Sequence, residues 1–140
     1  MSLFFSNVMK SKGNAFDVAT STLLCNSMTQ LQSMGILGGF LLTVFLKSEQ
    51  KSIVVDAQMV APKNFDLKMI TNFTQVKEGG LSIAVPGFLK GIWEIHKKYS
   101  SLPWNKLIEP TLTLCNKGII LTKHLHDSVS WTSLTNDNTL

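Results

Sequence analysis

Arginine is absent from this chain. All 13 basic residues are lysines, they are scattered, and the only adjacent pair is Lys97-Lys98. The net charge of +4 and the isoelectric point near 9.2 would otherwise suggest a nucleic-acid surface. Bidentate recognition of phosphates and base edges relies on the guanidinium fork, so the absence argues against nucleic acid as a partner. Charge of either sign is scarce too, at 16% of residues, where a soluble domain carries about 25%. With 44% apolar residues and a mean hydropathy of +0.17, little polar material is left to coat the surface. Such a chain is expected to cover part of itself against something else.

Two cysteines, Cys25 and Cys115, allow one disulfide at most; the simpler reading is two buried free thiols. A long apolar run is also missing. No charged residue occurs between Val18 and Leu46, but Asn26, Ser27, Thr29, Gln30, Gln32 and Ser33 interrupt the stretch. What remains, Met34 to Leu46, is shorter than the roughly 20 residues a membrane helix needs. "MSLFFSNVMK" lacks the basic region and small-residue cleavage site of a signal peptide. The expectation is a cytosolic chain, or one whose true start lies upstream.

The length suits one domain, able to bury about 70% of the surface its unfolded form exposes. "GNAFDVATSTLLC" reads as a helix, with Asn14 as N-cap, Asp17 completing a capping box, and Phe16, Ala19, Leu23 and Leu24 as its apolar stripe. "FLLTVF" and "SIVVDA", joined by "LKSEQKS", read as a hairpin, the first strand apolar enough to be covered on both faces. "LSIAVPG" reads as a further short strand. In "FLKGIWEIHKKYS" the helical face is Phe88, Leu89, Ile92, Trp93, His96 and Tyr99, with Lys90, Glu94, Lys97 and Lys98 largely opposite. "LPWNKLIEPTLTLCNKG" reads as a helix with Pro103 in its first turn, a kink at Pro110 and Gly118 as terminator. An irregular tail is expected over 126–140.

Candidate chemistry is sparse. Gly35, Gly38 and Gly39 fit neither G-x-x-x-x-G-K-[ST] nor G-x-G-x-x-G, and a strand follows them where a phosphate loop has a helix. His124 and His126 form an isolated H-x-H pair, short of the three or four ligands of a metal site, and read as surface histidines; His96 reads as filling a helix face. No nucleophile–base pair and no carboxylate pair stands out. Asp17 reads as a helix-start carboxylate. Asn72-Phe73-Thr74 is a glycosylation sequon, meaningful only in a secretory chain.

The order "GNAFDVATSTLLC", "SMGILGGFLLTVF", "VVDAQMVAP", "GGLSIAVPGFLKG", "LPWNKLIEPTLTLCNKG" resembles the front of the large subunit of gamma-glutamyltransferases, also called glutathione hydrolases, from about Lys10 to His124. The resemblance implies an α+β fold: a partial, incomplete αββα sandwich of the N-terminal-nucleophile hydrolase type, carried by residues 1–125. It implies glutathione or other gamma-glutamyl compounds as ligands, no cofactor and no metal, and a plasma-membrane or extracellular setting. The reaction it implies is transfer of the gamma-glutamyl group to water or an amino acid, by a Thr whose own amine is the base. That Thr begins a small subunit that this sequence does not contain, so no catalytic residue is assigned.

Three departures from the family pattern stand out. Leu37 replaces the middle Gly of the glycine run, which would force a rearrangement if the position needs φ > 0. Lys12 replaces the first Gly of "GGNA". Gln58 stands where the family has the Arg that clamps the substrate's alpha-carboxylate, with Met59 in place of an acid; Lys63 is the nearest cation in sequence that could reach. The expectation is a truncated chain, inactive alone, or else a catalytically dead secreted homologue acting as a binding protein or decoy.

Overall fold

A computed structural model describes residues 2–131. The chain divides into two compact units. The first combines residues 1–35 with 95–140, and the second is the intervening segment 36–94.

In the first unit, α1 (Ser2–Lys10) and α4 (Trp104–Lys117) both pack on α2 (Ala15–Thr29), and α5 (Lys123–Trp131) follows. Val8, Val18 and Leu107 form its apolar centre, flanked by Leu102. The buried side of α2 is Asp17, Val18, Thr20, Ser21, Leu24, Cys25 and Ser27; of the expected stripe only Leu24 is buried, while Ala19 is exposed and Phe16 and Leu23 are half-buried. Four of these seven, Asp17, Thr20, Ser21 and Ser27, are polar, so the hydrophobic pattern does not mark this side. Leu107 and Thr111 are the buried residues of α4, which runs on past Pro110 and ends at Gly118, with φ near 90°. Cys25 is buried, but Cys115 is exposed, and both are free thiols. The expected irregular tail is helical as far as Trp131, where α5 carries a Lys123–Asp127 ion pair of 2.7 Å one turn apart. Residues 132–140 lie outside the described residues.

The corner between α1 and α2 explains how Lys12 is accommodated. The Gly13 N–H donates to Val8 O and the Lys12 N–H to Met9 O, both at 3.0 Å. This is a Schellman motif, and Lys12 holds its left-handed position at φ 60°. Gly13 has no such latitude: a Cβ there would lie 2.7 Å from Val8 Cγ1 and 2.9 Å from Leu102 Cδ1.

In the second unit, β1 (Phe40–Leu46) pairs antiparallel with β2 (Lys51–Ala57), with Phe40 opposite Ala57 and Leu46 opposite Lys51. The strand is not covered on both faces. Leu41, Thr43 and Phe45 are exposed while their neighbours are half-buried, as a two-stranded ribbon with one open face requires. "LSIAVPG" is not a strand either; it holds a 3-10 turn (Gly80–Ser82) and a single bridge from Val85 to Val60. Helix α3 (Phe88–Tyr99) starts in this unit and ends in the first. Its buried residues are Phe88, Gly91, Ile92 and Ile95, whereas Leu89 and Trp93 are exposed, so the face is rotated from the one expected. Gly91 lies on the buried side, where a Cβ would clash with the Ala57 side chain, and a glycine counts for nothing in a hydrophobic pattern.

Candidate functional site

Three glycines converge on the end of β2, Gly39 from the segment before β1 and Gly87 and Gly91 from the start of α3. A Cβ on Gly39 would lie 2.7 Å from Ala57 O and Gln58 Cα. One on Gly87 would clash with the carbonyl oxygens of Ala57 and Gln58, and one on Gly91 with the Ala57 side chain. The Gly38 carbonyl accepts from both Gly87 N and Phe88 N at 3.1 Å, tying the glycine run to the first turn of α3. Phe40 and Phe88 meet edge to face at 5.8 Å. The glycines therefore serve close backbone packing. Leu37 fits without rearrangement: its φ is not positive and its side chain is exposed.

This packing holds Gln58 at a fixed place. Its N–H donates to Asp56 Oδ1 at 3.0 Å, turning the chain just after β2 ends. Beside it opens a cleft of about 330 Å³ whose wall includes Asp56, Gln58, Val60, Val85, Lys90 and Glu94. Gln58, singled out by sequence, lines it; Lys63 does not. The cation in the wall is Lys90. The sequence had already set Lys90 and Glu94 on one side of α3, but nothing in it brought that side to Gln58, 32 positions earlier. An amide, one ammonium and two carboxylates offer hydrogen bonds and both signs of charge to a small zwitterion. None of the lining residues is Ser, Thr, Cys, His or Tyr.

The other candidates lie elsewhere. Asp17 is fully buried, and it is a structural acceptor. Its Oδ2 takes bonds from Asn14 N at 2.8 Å, Ser101 Oγ at 2.6 Å and Ser101 N at 3.2 Å, and its Oδ1 from Leu102 N at 3.2 Å. Burial pushes its carboxyl up, but the Ser101 hydroxyl and the Asn14, Leu102 and Ser101 N–H groups outweigh this and hold it below the ordinary carboxylate value. Asn14 caps α2 with its Oδ1 and donates from Nδ2 to Tyr99 O at 2.7 Å, while Phe16 stacks on Tyr99 at 4.7 Å. His96 donates from Nε2 to Leu102 O at 2.9 Å and lies edge-on to Trp104, which makes it part of the same clasp. His124 and His126 are exposed on α5, and among the described residues no three His, Cys, Asp or Glu side chains converge. No helix among the described residues is long and apolar enough to cross a membrane.

Comparison with known proteins gives these features a context. A family model described as gamma-glutamyltranspeptidase matches residues 2–139. Glutathione hydrolase 5 proenzyme of Rattus norvegicus is 33% identical over 128 residues, covering 86% of this chain and 22% of the rat protein. Scoloptoxin SSD14 of Scolopendra dehaani is 37% identical over 113 residues, covering 80% of this chain and 20% of the toxin. Among solved structures, the gamma-glutamyltranspeptidase of Pseudomonas nitroreducens complexed with L-DON superposes with a TM-score of 0.85 at 22% identity, over 97% of this chain and 42% of that one. That likeness establishes a shared fold. The chain spans about a fifth of the length of these curated relatives. The family match runs through every element described above, from α1 to α5, and on that ground the chain belongs to the gamma-glutamyltranspeptidase family.

Proposed function

We propose that this chain forms one wall of a gamma-glutamyl pocket, within part of an αββα sandwich, and that Gln58 meets the alpha-carboxylate end of a glutathione-like ligand. The observation that carries this reading is the placement of Gln58 on the wall of the cleft with Lys90, Asp56 and Glu94. Transfer of the gamma-glutamyl group to water or an amino acid then calls for the Thr of a small-subunit segment, which these 140 residues do not supply. Its surroundings are extracellular or at the outer membrane surface, as in the family.

A Gln donates neutral hydrogen bonds where the family's Arg donates charge-assisted ones. A bond to a charged partner contributes about 1.5–3 kcal/mol against about 1 for a neutral pair. Doubled for a bidentate fork, the difference of about 1–4 kcal/mol weakens carboxylate binding roughly five-fold to several hundred-fold. Titration calorimetry with glutathione on the chain and on Gln58→Arg tests this. The variant is expected to bind at least about five-fold more tightly; equal affinity rejects Gln58 as the carboxylate contact. Release of chromophore from a gamma-glutamyl anilide is expected to be nil for the purified chain, and turnover would refute the division of labour.

A second reading is a binding protein or decoy without catalysis, in keeping with the uncharged Gln58 at the position of the family's carboxylate-binding Arg. Saturable glutathione binding that persists without turnover, even after a Thr-initiated small-subunit segment is supplied, would select it.

A further inference from the structure

We propose that Lys90 is a specificity-determining residue of the cleft: its ammonium supplies the positive charge for the ligand's alpha-carboxylate that Gln58 lacks. The inference rests on the pocket reading above and adds a second contact to it.

Within this chain that charge has to come from lysine, because the sequence contains no arginine. Lys63, the cation nearest to Gln58 in sequence, does not line the cleft, whereas Lys90 and Gln58 both do. Small residues bring the two together. Gly87 and Gly91 let the first turn of α3 lie against Ala57 and Gln58, and Lys90 is carried on that turn.

Two further observations point to an anion. Helix α3 begins at Phe88, and its first turn, which includes Lys90, holds no acidic residue. The N-terminal end of a helix carries partial positive charge, which favours a carboxylate and disfavours a cation. Lys90 therefore works against its own helix end and adds to a positive field that faces the cleft. The second observation is that no ion pair engages Lys90 among the described residues. Asp56 and Glu94 share the wall with it, yet neither neutralises it. Asp56 Oδ1 accepts from Gln58 N at 3.0 Å. Lys90 is exposed, so a ligand can reach its ammonium.

The two carboxylates bear on the class of ligand. With Asp56 and Glu94 set against one lysine, a bare dianion is repelled. An alpha-amino acid end brings its own ammonium to face them. The ligand that fits is zwitterionic at its alpha carbon, with its carboxylate between Lys90 and Gln58. An ion pair at an exposed lysine is partly screened, which sets its weight at about three- to five-fold in affinity.

The test titrates the isotope-labelled full chain by heteronuclear NMR. The probes are glutathione and its analogue in which the glutamyl alpha-carboxylate is a primary amide. Lys90→Met removes the charge and keeps the stem, and an unchanged urea midpoint checks the fold. Glutathione affinity is expected to fall about three- to five-fold in Lys90→Met and to recover in Lys90→Arg, with the loss fading as salt is raised. The amide analogue should bind Lys90→Met and the unaltered chain alike. In a Gln58→Arg background the loss should shrink, because the guanidinium already holds the carboxylate. If Gln58→Arg tightens glutathione binding while Lys90→Met leaves it unchanged, the pocket reading stands and the role of Lys90 falls. Equal losses for glutathione and the amide analogue would also overturn that role, since the charge would not be what the ligand reads. If neither the chain nor Gln58→Arg binds glutathione saturably, the pocket reading itself fails and takes this inference with it.

Discussion

Replacing Asp17 by Ala should be the most damaging single polar substitution in the first unit. The carboxylate is fully buried and accepts four bonds from Asn14, Ser101 and Leu102. A hydrogen bond to a charged group is worth about 1.5–3 kcal/mol. The two contacts at 3.2 Å are weak, and Ser101 can turn to water because it is exposed. Counting only the two short bonds gives a loss of about 3–6 kcal/mol, a large share of the 5–15 kcal/mol that holds a domain together. Asp17→Asn keeps the shape but turns an NH₂ toward N–H donors, for a loss of about 2 kcal/mol. Urea titration followed by circular dichroism measures both. With a slope of about 2 kcal/mol per molar, the Ala midpoint falls by roughly 1.5–3 M. A double-mutant cycle with Ser101→Ala should return a coupling of about 1–2 kcal/mol. The folded-state carboxyl lies below its usual value. Its contribution is therefore complete above the unfolded pKa and is lost as pH falls from about 4 through the lower folded value. The Asn variant should show a flatter stability profile across that acid range. A loss below about 1 kcal/mol in Asp17→Ala, or an unchanged acid profile in Asp17→Asn, would refute the clasp.

Lys12→Gly should stabilise the chain: a non-glycine residue at φ 60° costs about 1–2 kcal/mol, partly offset by the greater freedom of Gly when unfolded, and the net gain of about 0.5–1 kcal/mol should appear as a higher Tm. Gly39→Ala places a Cβ 2.7–2.8 Å from the backbone of Ala57, Gln58 and Met59, which is expected to destabilise by about 1–3 kcal/mol in chemical denaturation. A thiol reagent should titrate the exposed Cys115 at once, while Cys25, buried and with its thiol pKa raised by that burial, should react only on unfolding.

Local signals in the sequence were reliable where the structure is locally decided. The capping box at Asn14 and Asp17, the hairpin around "LKSEQKS" and the stop at Gly118 depend on residues a few positions apart, and they stand as read. Failures came where a partner decides. Burial on α2 includes polar residues, burial on α3 includes Gly91, and the apolar strand β1 keeps one open face. The site divides in the same way. Gln58 was legible only through the family resemblance, since a lone Gln after a strand carries no chemical signature. Lys90 was hidden because its approach to Gln58 depends on Gly87 and Gly91 letting the start of α3 lie against the end of β2, and their role is to be small.

The first unit is interrupted in sequence by the whole of residues 36–94. Its clasp joins Asp17 to Ser101 and Leu102, which lie 84 and 85 positions away. During synthesis α2 therefore leaves the ribosome with its buried carboxylate short of three donors, and it must wait for the entire inserted segment to emerge. Chain elongation at about 5–20 residues per second makes that delay several seconds. Over that interval the N-terminal helices depend on chaperones, or on the speed of translation, more than on their own contacts.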